Sequence, residues 1–144
     1  MTRDVDIVVD LKMEHVAALT AALADEFYCD ALALTRAVET RQLVNAIHLE
    51  SLLKIDFIVR KDGAYHREEF DRRVERQLGE RHFHLVSPED LVLAKLLWMQ
   101  QGGSAVQRLD VQNLIQPVPE LDWSYLTHWA PRLGVSTLLD EVKM

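Results

Sequence analysis

The sequence has few of the residues that build disulfide-bonded, fibrous or low-complexity proteins. Its 144 residues include one cysteine, Cys29, five glycines and four prolines. One cysteine excludes an internal disulfide framework, and it cannot form a structural zinc site without several histidine or carboxylate partners. So little glycine and proline argues against fibrous or low-complexity architectures. Because a lone thiol fits a reducing compartment, the sequence predicts a cytoplasmic protein.

Positive charge is scarce, and so are long apolar segments. Sixteen Lys and Arg residues stand against 23 Asp and Glu residues, which gives a formal net charge of −7. Non-specific nucleic-acid binding needs a surplus of basic residues on one face. No apolar run approaches the roughly 20 residues that span a bilayer, and the first residues lack the pattern of a secretory signal. The sequence therefore predicts no membrane association and no non-specific DNA binding.

The remaining composition is that of an ordinary globular domain. Hydrophobic residues make up 49% and charged residues 27% of the chain, which is close to the average for soluble proteins. The length suits one domain. We therefore expect a single domain over residues 1–144, with a sheet-containing part over 1–86 and a helical part over 87–144.

Hydrophobic periodicity predicts alternating strands and helices in the first part. In chain order these are a strand over 4–10, helices over 13–23 and 30–41, a hairpin of strands over 43–49 and 53–60, a surface helix over 64–76 and a strand over 81–86. Asp30 is the expected N-cap of the second helix. This order predicts a short mixed sheet flanked by helices.

Capping residues divide the second part into helices. Ser87 caps the clearest helix start, where Pro88 suits the first helical position. Ser104 and Asp122 are the expected caps of two further helices, and Gly134 precedes a last one. The predicted fold class is therefore α/β (α+β), with a mixed sheet of about four strands and a C-terminal helical bundle.

Three carboxylates stand out in the predicted strands: Asp4, Asp6 and Asp56. Residues i and i+2 of a strand share a face, with Cα atoms roughly 6.5–7 Å apart. If the two strands are adjacent, the three carboxylates form a Mg²⁺ site suited to phosphoryl or nucleotidyl transfer. The alternative is that these acids line the solvent side of an antiparallel sheet. Asp56 favours the metal site, because Asp is depleted in strands and this one interrupts an apolar run.

Four segments together resemble one protein family. TRDVDIVV at residues 2–9 resembles the Thr-x-Asp-hydrophobic-Asp-hydrophobic signature of the nucleotidyltransferase superfamily. It is especially similar to the abortive-infection-type nucleotidyltransferase-like proteins of bacterial toxin–antitoxin systems. The resemblance continues in IDF at 55–57, SPEDLVLAKL at 87–96 and QRLDV at 107–111. These segments follow the family order over most of the chain.

The resemblance implies a role for each matching residue. Asp4, Asp6 and Asp56 would be catalytic and would hold Mg²⁺. Lys95 would face the phosphates of a bound nucleoside triphosphate, and Asp110 would orient Lys95 or contact the acceptor. The implied reaction moves a nucleoside monophosphate from the triphosphate to a protein or RNA acceptor. From the residues alone, Lys95 is equally readable as a lysine with a packed stem and Asp110 as a surface helix acid.

One family feature has no counterpart in the sequence. The family carries a Gly-Gly or Gly-Ser turn upstream of the Asp-x-Asp pair, where backbone amides approach the triphosphate. Only three residues precede Asp4, so we expect this form to lack that cradle and to expose the apolar surface beneath it. An exposed apolar patch commonly becomes a subunit interface, which predicts a homodimer.

Three function hypotheses follow from these observations. The first is a Mg²⁺-dependent nucleotidyltransferase. The second is a catalytically inactive remnant of that fold, acting as a binding, regulatory or dimerisation module with a partner protein. The third is a metal-independent domain that binds a small molecule.

His82 and His84 share a predicted strand face, but no cluster of further ligands accompanies them.

Overall fold

A computed structural model describes residues 4–102, 105–118 and 120–143. For residues 105–107 it describes the backbone and not the side chains. The chain divides into two compact units, Met1–Arg67 and Glu68–Met144. The first unit contains a four-stranded sheet, and the second contains a two-stranded ribbon and most of the helices.

The first unit is a mixed sheet with two helices. Its elements are β1 (Asp4–Val9), α1 (Met13–Leu23), β2 (Phe27–Tyr28), α2 (Ala31–Thr40), β3 (Leu43–His48) and β4 (Lys54–Val59). The strand order is β1-β4-β3-β2. The β1–β4 pair is parallel, and the β4–β3 and β3–β2 pairs are antiparallel.

Apolar burial holds this unit together. Its core is formed by side chains of α2, β3 and β4, namely Leu34, Ala37, Val38, Val44, Ala46, Phe57 and Val59. Three residues of α1, Val16, Leu19 and Leu23, pack against this cluster. Successive strand residues point to opposite faces of a sheet. The helices therefore cover the face that carries Phe57 and Val59.

The second unit begins within a helix, α3 (Ala64–Asp71). Its further elements are β5 (Val74–Leu78), β6 (Arg81–Leu85), α4 (Pro88–Gly102), α5 (Ala105–Ile115), α6 (Trp123–Leu133) and α7 (Ser136–Lys143). Strands β5 and β6 form an antiparallel ribbon. Helix α4 contacts α5, α6 and α7, and it contributes the buried residues Val92, Leu93, Leu96 and Met99.

The predicted fold class is confirmed, because a small mixed sheet is flanked by helices and helices follow it. The predicted caps Asp30, Ser87 and Asp122 each accept a hydrogen bond from the backbone N–H three residues further on. The predicted cap Ser104 lies outside the described residues.

One predicted helix is partly wrong. The charge pattern predicted a helix over 64–76, whereas α3 ends at Asp71 and Val74–Leu78 is a strand. Backbone pairing with Arg81–Leu85 replaces the last helical turn, because a strand partner outweighs weak local helix propensity. The two-residue strand Phe27–Tyr28 was not predicted, since two residues carry no measurable periodicity.

Length and hydropathy decide whether a helix can cross a membrane. Among the residues that the structure describes, no helix combines the length and the apolar character that crossing a bilayer requires.

Candidate functional site

Parallel pairing of β1 and β4 brings the three predicted carboxylates to one face of the sheet. Asp6 is the register partner of Asp56, and Asp4 is the register partner of Lys54. Because strand side chains alternate, these four residues share the face opposite Phe57. The adjacency on which the predicted site depends is therefore present.

Strand β3 adds an amide to this group. Asn45 is the antiparallel register partner of Asp56, and its Nδ2 donates a hydrogen bond of 2.5 Å to Asp56 Oδ1. We call Asp4, Asp6, Asn45, Lys54 and Asp56 the polar face. The Asp56 side chain is only 12% exposed, whereas that of Asp4 is 43% exposed. Asp56 is thus the buried, fixed carboxylate of the group.

Lys54 brings a positive charge among the acids. Its Nζ lies 3.3 Å from Asp56 Oδ2 and 3.4 Å from Asp4 Oδ2. Hydrogen bonds to Asp56, and then to Asp4, raise the pKa of Lys54 above its ordinary value. The ammonium therefore lies between two of the three predicted metal ligands.

Exposed apolar side chains flank the polar face on both sides. One flank is the register row of Val8, Ile58 and Leu43. The other flank contains Ile47 and Tyr28, which pair with each other across β3 and β2. All of these except Ile58 are exposed. The polar face is thus a charged strip between two apolar margins.

The chemistry of the polar face suits a hard divalent cation. Carboxylate oxygens are the protein ligands that Mg²⁺ prefers, and Asp4, Asp6 and Asp56 supply them. In the described part of the chain, no three His, Cys, Asp or Glu side chains are arranged to hold one ion. The carboxylate chemistry thus suits Mg²⁺, whereas the described arrangement of the side chains does not form a three-ligand group. The cation found between Asp4 and Asp56 is the ammonium of Lys54.

Lys95 and Asp110 lie in the second unit and contact each other. Lys95 on α4 and Asp110 on α5 form an ion pair, with Nζ 3.5 Å from Oδ2. The Lys95 side chain is 23% exposed and that of Asp110 is 50% exposed. The pairing expected between them is therefore present, and their roles towards a nucleotide stay predictions.

A second polar network is buried in the same unit, and the sequence did not single it out. The carboxylate of Asp90 is fully buried. It accepts hydrogen bonds from Ser87 Oγ at 2.6 Å, Tyr125 Oη at 2.7 Å and Arg72 Nε at 3.3 Å. The Arg72 guanidinium also lies 3.8 Å from the centre of the Tyr125 ring. Burial, and then the bond to Asp90, raise the pKa of Tyr125.

This network has the character of a structural tie. Its carboxylate is met by hydroxyl and guanidinium donors, and buried charge is tolerated only when it is paired in this way. It joins the start of α4 to α6 and to Arg72. Glu89 strengthens it, because its Oε1 accepts the backbone N–H of Asp122, the N-cap of α6.

Two further candidates lie apart from these groups. His82 pairs with Glu75, with Nδ1 3.1 Å from Oε1, on the exposed ribbon. Cys29 is half-buried. Burial, and to a smaller extent the negative charge of the nearby Asp30, raises the pKa of its thiol. A raised thiol pKa disfavours the thiolate form that an activated nucleophile needs.

Two members of the polar face, Asn45 and Lys54, were not predicted. Lys54 stands two residues before Asp56, so strand alternation alone could have placed both on one face. Asn45 could be found only from the register between β3 and β4.

Comparison with known proteins adds no assignment. No protein-family model matches the chain, and no curated protein matches its sequence.

Proposed function

We propose that this chain is a nucleotidyltransferase-like protein that moves a nucleoside monophosphate from a nucleoside triphosphate to a protein or RNA acceptor. The observation that supports the proposal is the parallel pairing of β1 and β4. It makes Asp6 and Asp56 register partners, with Asp4 on the same face.

Each residue of the polar face has a task in this proposal. Asp4, Asp6 and Asp56 would hold Mg²⁺ through their carboxylate oxygens. When bound, Mg²⁺ neutralises triphosphate charge and positions the attacking oxygen. Asn45 fixes the orientation of the Asp56 carboxylate through its hydrogen bond. The resemblance alone supports the remaining two roles. In these, Lys95 faces the phosphates, and Asp110 orients Lys95 or contacts the acceptor.

A second candidate function is a non-catalytic module with the same fold. The observation that favours it is the ammonium of Lys54, which already pairs with Asp4 and Asp56. Opposite charges paired across neighbouring strands stabilise a sheet surface without any metal. In that case the chain acts by association with a partner protein, as the toxin–antitoxin resemblance implies.

Calorimetric titration with Mg-ATP and Mg-GTP separates the two candidates. The parent chain is compared with Asp4→Asn/Asp6→Asn and with a control, Asp25→Asn/Asp71→Asn. The control removes the same charge from two exposed acids outside the polar face. Saturable binding in the parent and the control, lost in the Asp4/Asp6 variant, supports the transferase. No binding up to millimolar nucleotide rejects it and leaves the module.

The proposal includes a cytoplasmic homodimer. Within the described sheet β1 is an edge strand, and its Val5 and Ile7 are exposed. An exposed apolar edge strand is a ready site for association, and the single cysteine suits a reducing compartment. Sedimentation should give a dimer at micromolar concentration, and a monomer there would contradict this part.

A further inference from the structure

Lys54 lies between two of the acids of the polar face. It lies on β4 directly across from Asp4 on β1 and two residues before Asp56 on its own strand. Its ammonium is within 3.4 Å of both carboxylates. A lysine on an open sheet face ordinarily extends its ammonium into water. The side chain of Lys54 instead turns along the sheet towards the acids.

The oxygens that contact this ammonium are the ones that a metal ion would need. Mg²⁺ binds carboxylate oxygens at about 2.0–2.1 Å and demands near-ideal octahedral geometry. An ion bound to both Asp4 and Asp56 would stand against a like-charged ammonium at contact distance, which is strongly unfavourable. The ammonium and a divalent ion therefore exclude each other from these two carboxylates.

We propose that Lys54 is the built-in counter-cation of the polar face, and that its ammonium must leave Asp4 and Asp56 before a divalent ion binds there. This rests on the proposed function, because it concerns the same metal site. Lys54 thereby sets the affinity of the site for the ion. With Lys54 in place its single positive charge offsets part of the negative charge of Asp4 and Asp56, and divalent ions bind weakly.

The contacts of Lys54 and Asn45 describe how the carboxylates are held in this structure. With the ammonium in place, Asp4 and Asp56 are held on Lys54 rather than turned towards a shared centre. Asn45 keeps the other oxygen of Asp56 engaged. Displacing the Lys54 ammonium would free the Oδ2 atoms of Asp4 and Asp56.

Calorimetric titration with Mn²⁺ alone, without nucleotide, tests the proposal. Lys54→Gln removes the charge, Lys54→Arg keeps it, and Lys61→Gln removes the charge of an exposed lysine beyond β4. We expect the Kd for Mn²⁺ to fall by about tenfold or more in Lys54→Gln, because a unit charge at contact distance is removed. Lys54→Arg and Lys61→Gln should bind Mn²⁺ as the parent does.

Thermal melting provides a second readout that needs no binding isotherm. In chelator, Lys54→Gln should melt below the parent, because Asp4 and Asp56 then repel each other without a counter-charge. Added Mn²⁺ should raise the melting temperature of Lys54→Gln more than that of the parent. Lys54→Met is measured in parallel and should behave in the same way.

The contrary outcomes separate this inference from the proposed function. Equal Mn²⁺ affinity in the parent, Lys54→Gln and Lys54→Met would overturn the role of Lys54 and leave the metal site standing. Absence of Mn²⁺ binding in all of them up to millimolar concentration would overturn the metal site itself, and the role of Lys54 with it.

Discussion

Removal of one hydroxyl from the buried network of the second unit should have a large effect on stability. Tyr125 is 8% exposed, and its Oη donates a 2.7 Å hydrogen bond to Asp90 Oδ1. Tyr125→Phe deletes this donor but keeps the ring that packs beneath Arg72. A hydrogen bond to a charged group contributes about 1.5–3 kcal/mol, so we expect the free energy of unfolding to fall by that amount.

Tryptophan fluorescence reports on this unit selectively. All three tryptophans, Trp98, Trp123 and Trp129, lie in the second unit. In urea, a unit of this size has a slope of about 1–1.5 kcal/mol per molar. The midpoint of the fluorescence transition for Tyr125→Phe should therefore fall by about 1 M or more.

A matched control separates the hydrogen bond from the loss of any hydroxyl on this helix. Ser124→Ala removes a hydroxyl from the neighbouring, exposed position of α6 and should change stability by less than about 0.5 kcal/mol. If Tyr125→Phe also stayed within about 0.5 kcal/mol of the parent, the bond to Asp90 would contribute nothing net. The description of the network as a structural tie would then be refuted.

Three further predictions concern pH, the core of the first unit and a helix end. The pKa of Tyr125 is raised, so the stability contributed by its hydroxyl is full below about pH 10 and is lost as the pH rises further. Urea midpoints measured from pH 9 upward should therefore fall more for the parent than for Tyr125→Phe. Leu34→Ala should lower the free energy of unfolding by about 2–5 kcal/mol, because Leu34 is fully buried, and unfolding followed by far-ultraviolet circular dichroism would measure the loss. Leu32→Ala on the same helix removes an exposed side chain and should change this free energy little. Gly134→Ala should lower the free energy of unfolding by about 1 kcal/mol or more, because Gly134 ends α6 at φ 73°. In the same thermal melts Gly102→Ala should be neutral or mildly stabilising, because outside its own helix and chain neighbours no described atom lies within 4 Å of the added Cβ.

Local rules in the sequence were sufficient for most elements. The strand patterns predicted β1, β3 and β4, and the capping residues predicted the starts of α2, α4 and α6. These signals act within four residues of one another, so they can be read along the chain. The strand Val74–Leu78 lacked such a signal, because its charged residues also suit a solvated helix face.

The candidate site could be predicted only in part, because its assembly depends on register. The sequence identified Asp4, Asp6 and Asp56, which differ in type from their apolar neighbours. It could not give the pairing of β1 with β4, since contacts between distant strands leave no local pattern. The contacts made by Asn45 and Lys54 follow from that pairing, so they became visible only in the structure.

Val9 is the residue of β1 that packs against the core cluster of the first unit. Ile7 pairs with Phe57 and Val9 with Val59, and the face that carries Phe57 and Val59 is the one covered by α1 and α2. A slip of one residue would turn the acids of β1 towards that covered face and its apolar residues towards the open one. Backbone pairing with β4 and packing of Val9 on the core therefore place β1 without any help from a metal. Neutralising Asp4 and Asp6 should consequently leave the sheet folded, so that a loss of nucleotide binding in that variant reports on the site rather than on the fold.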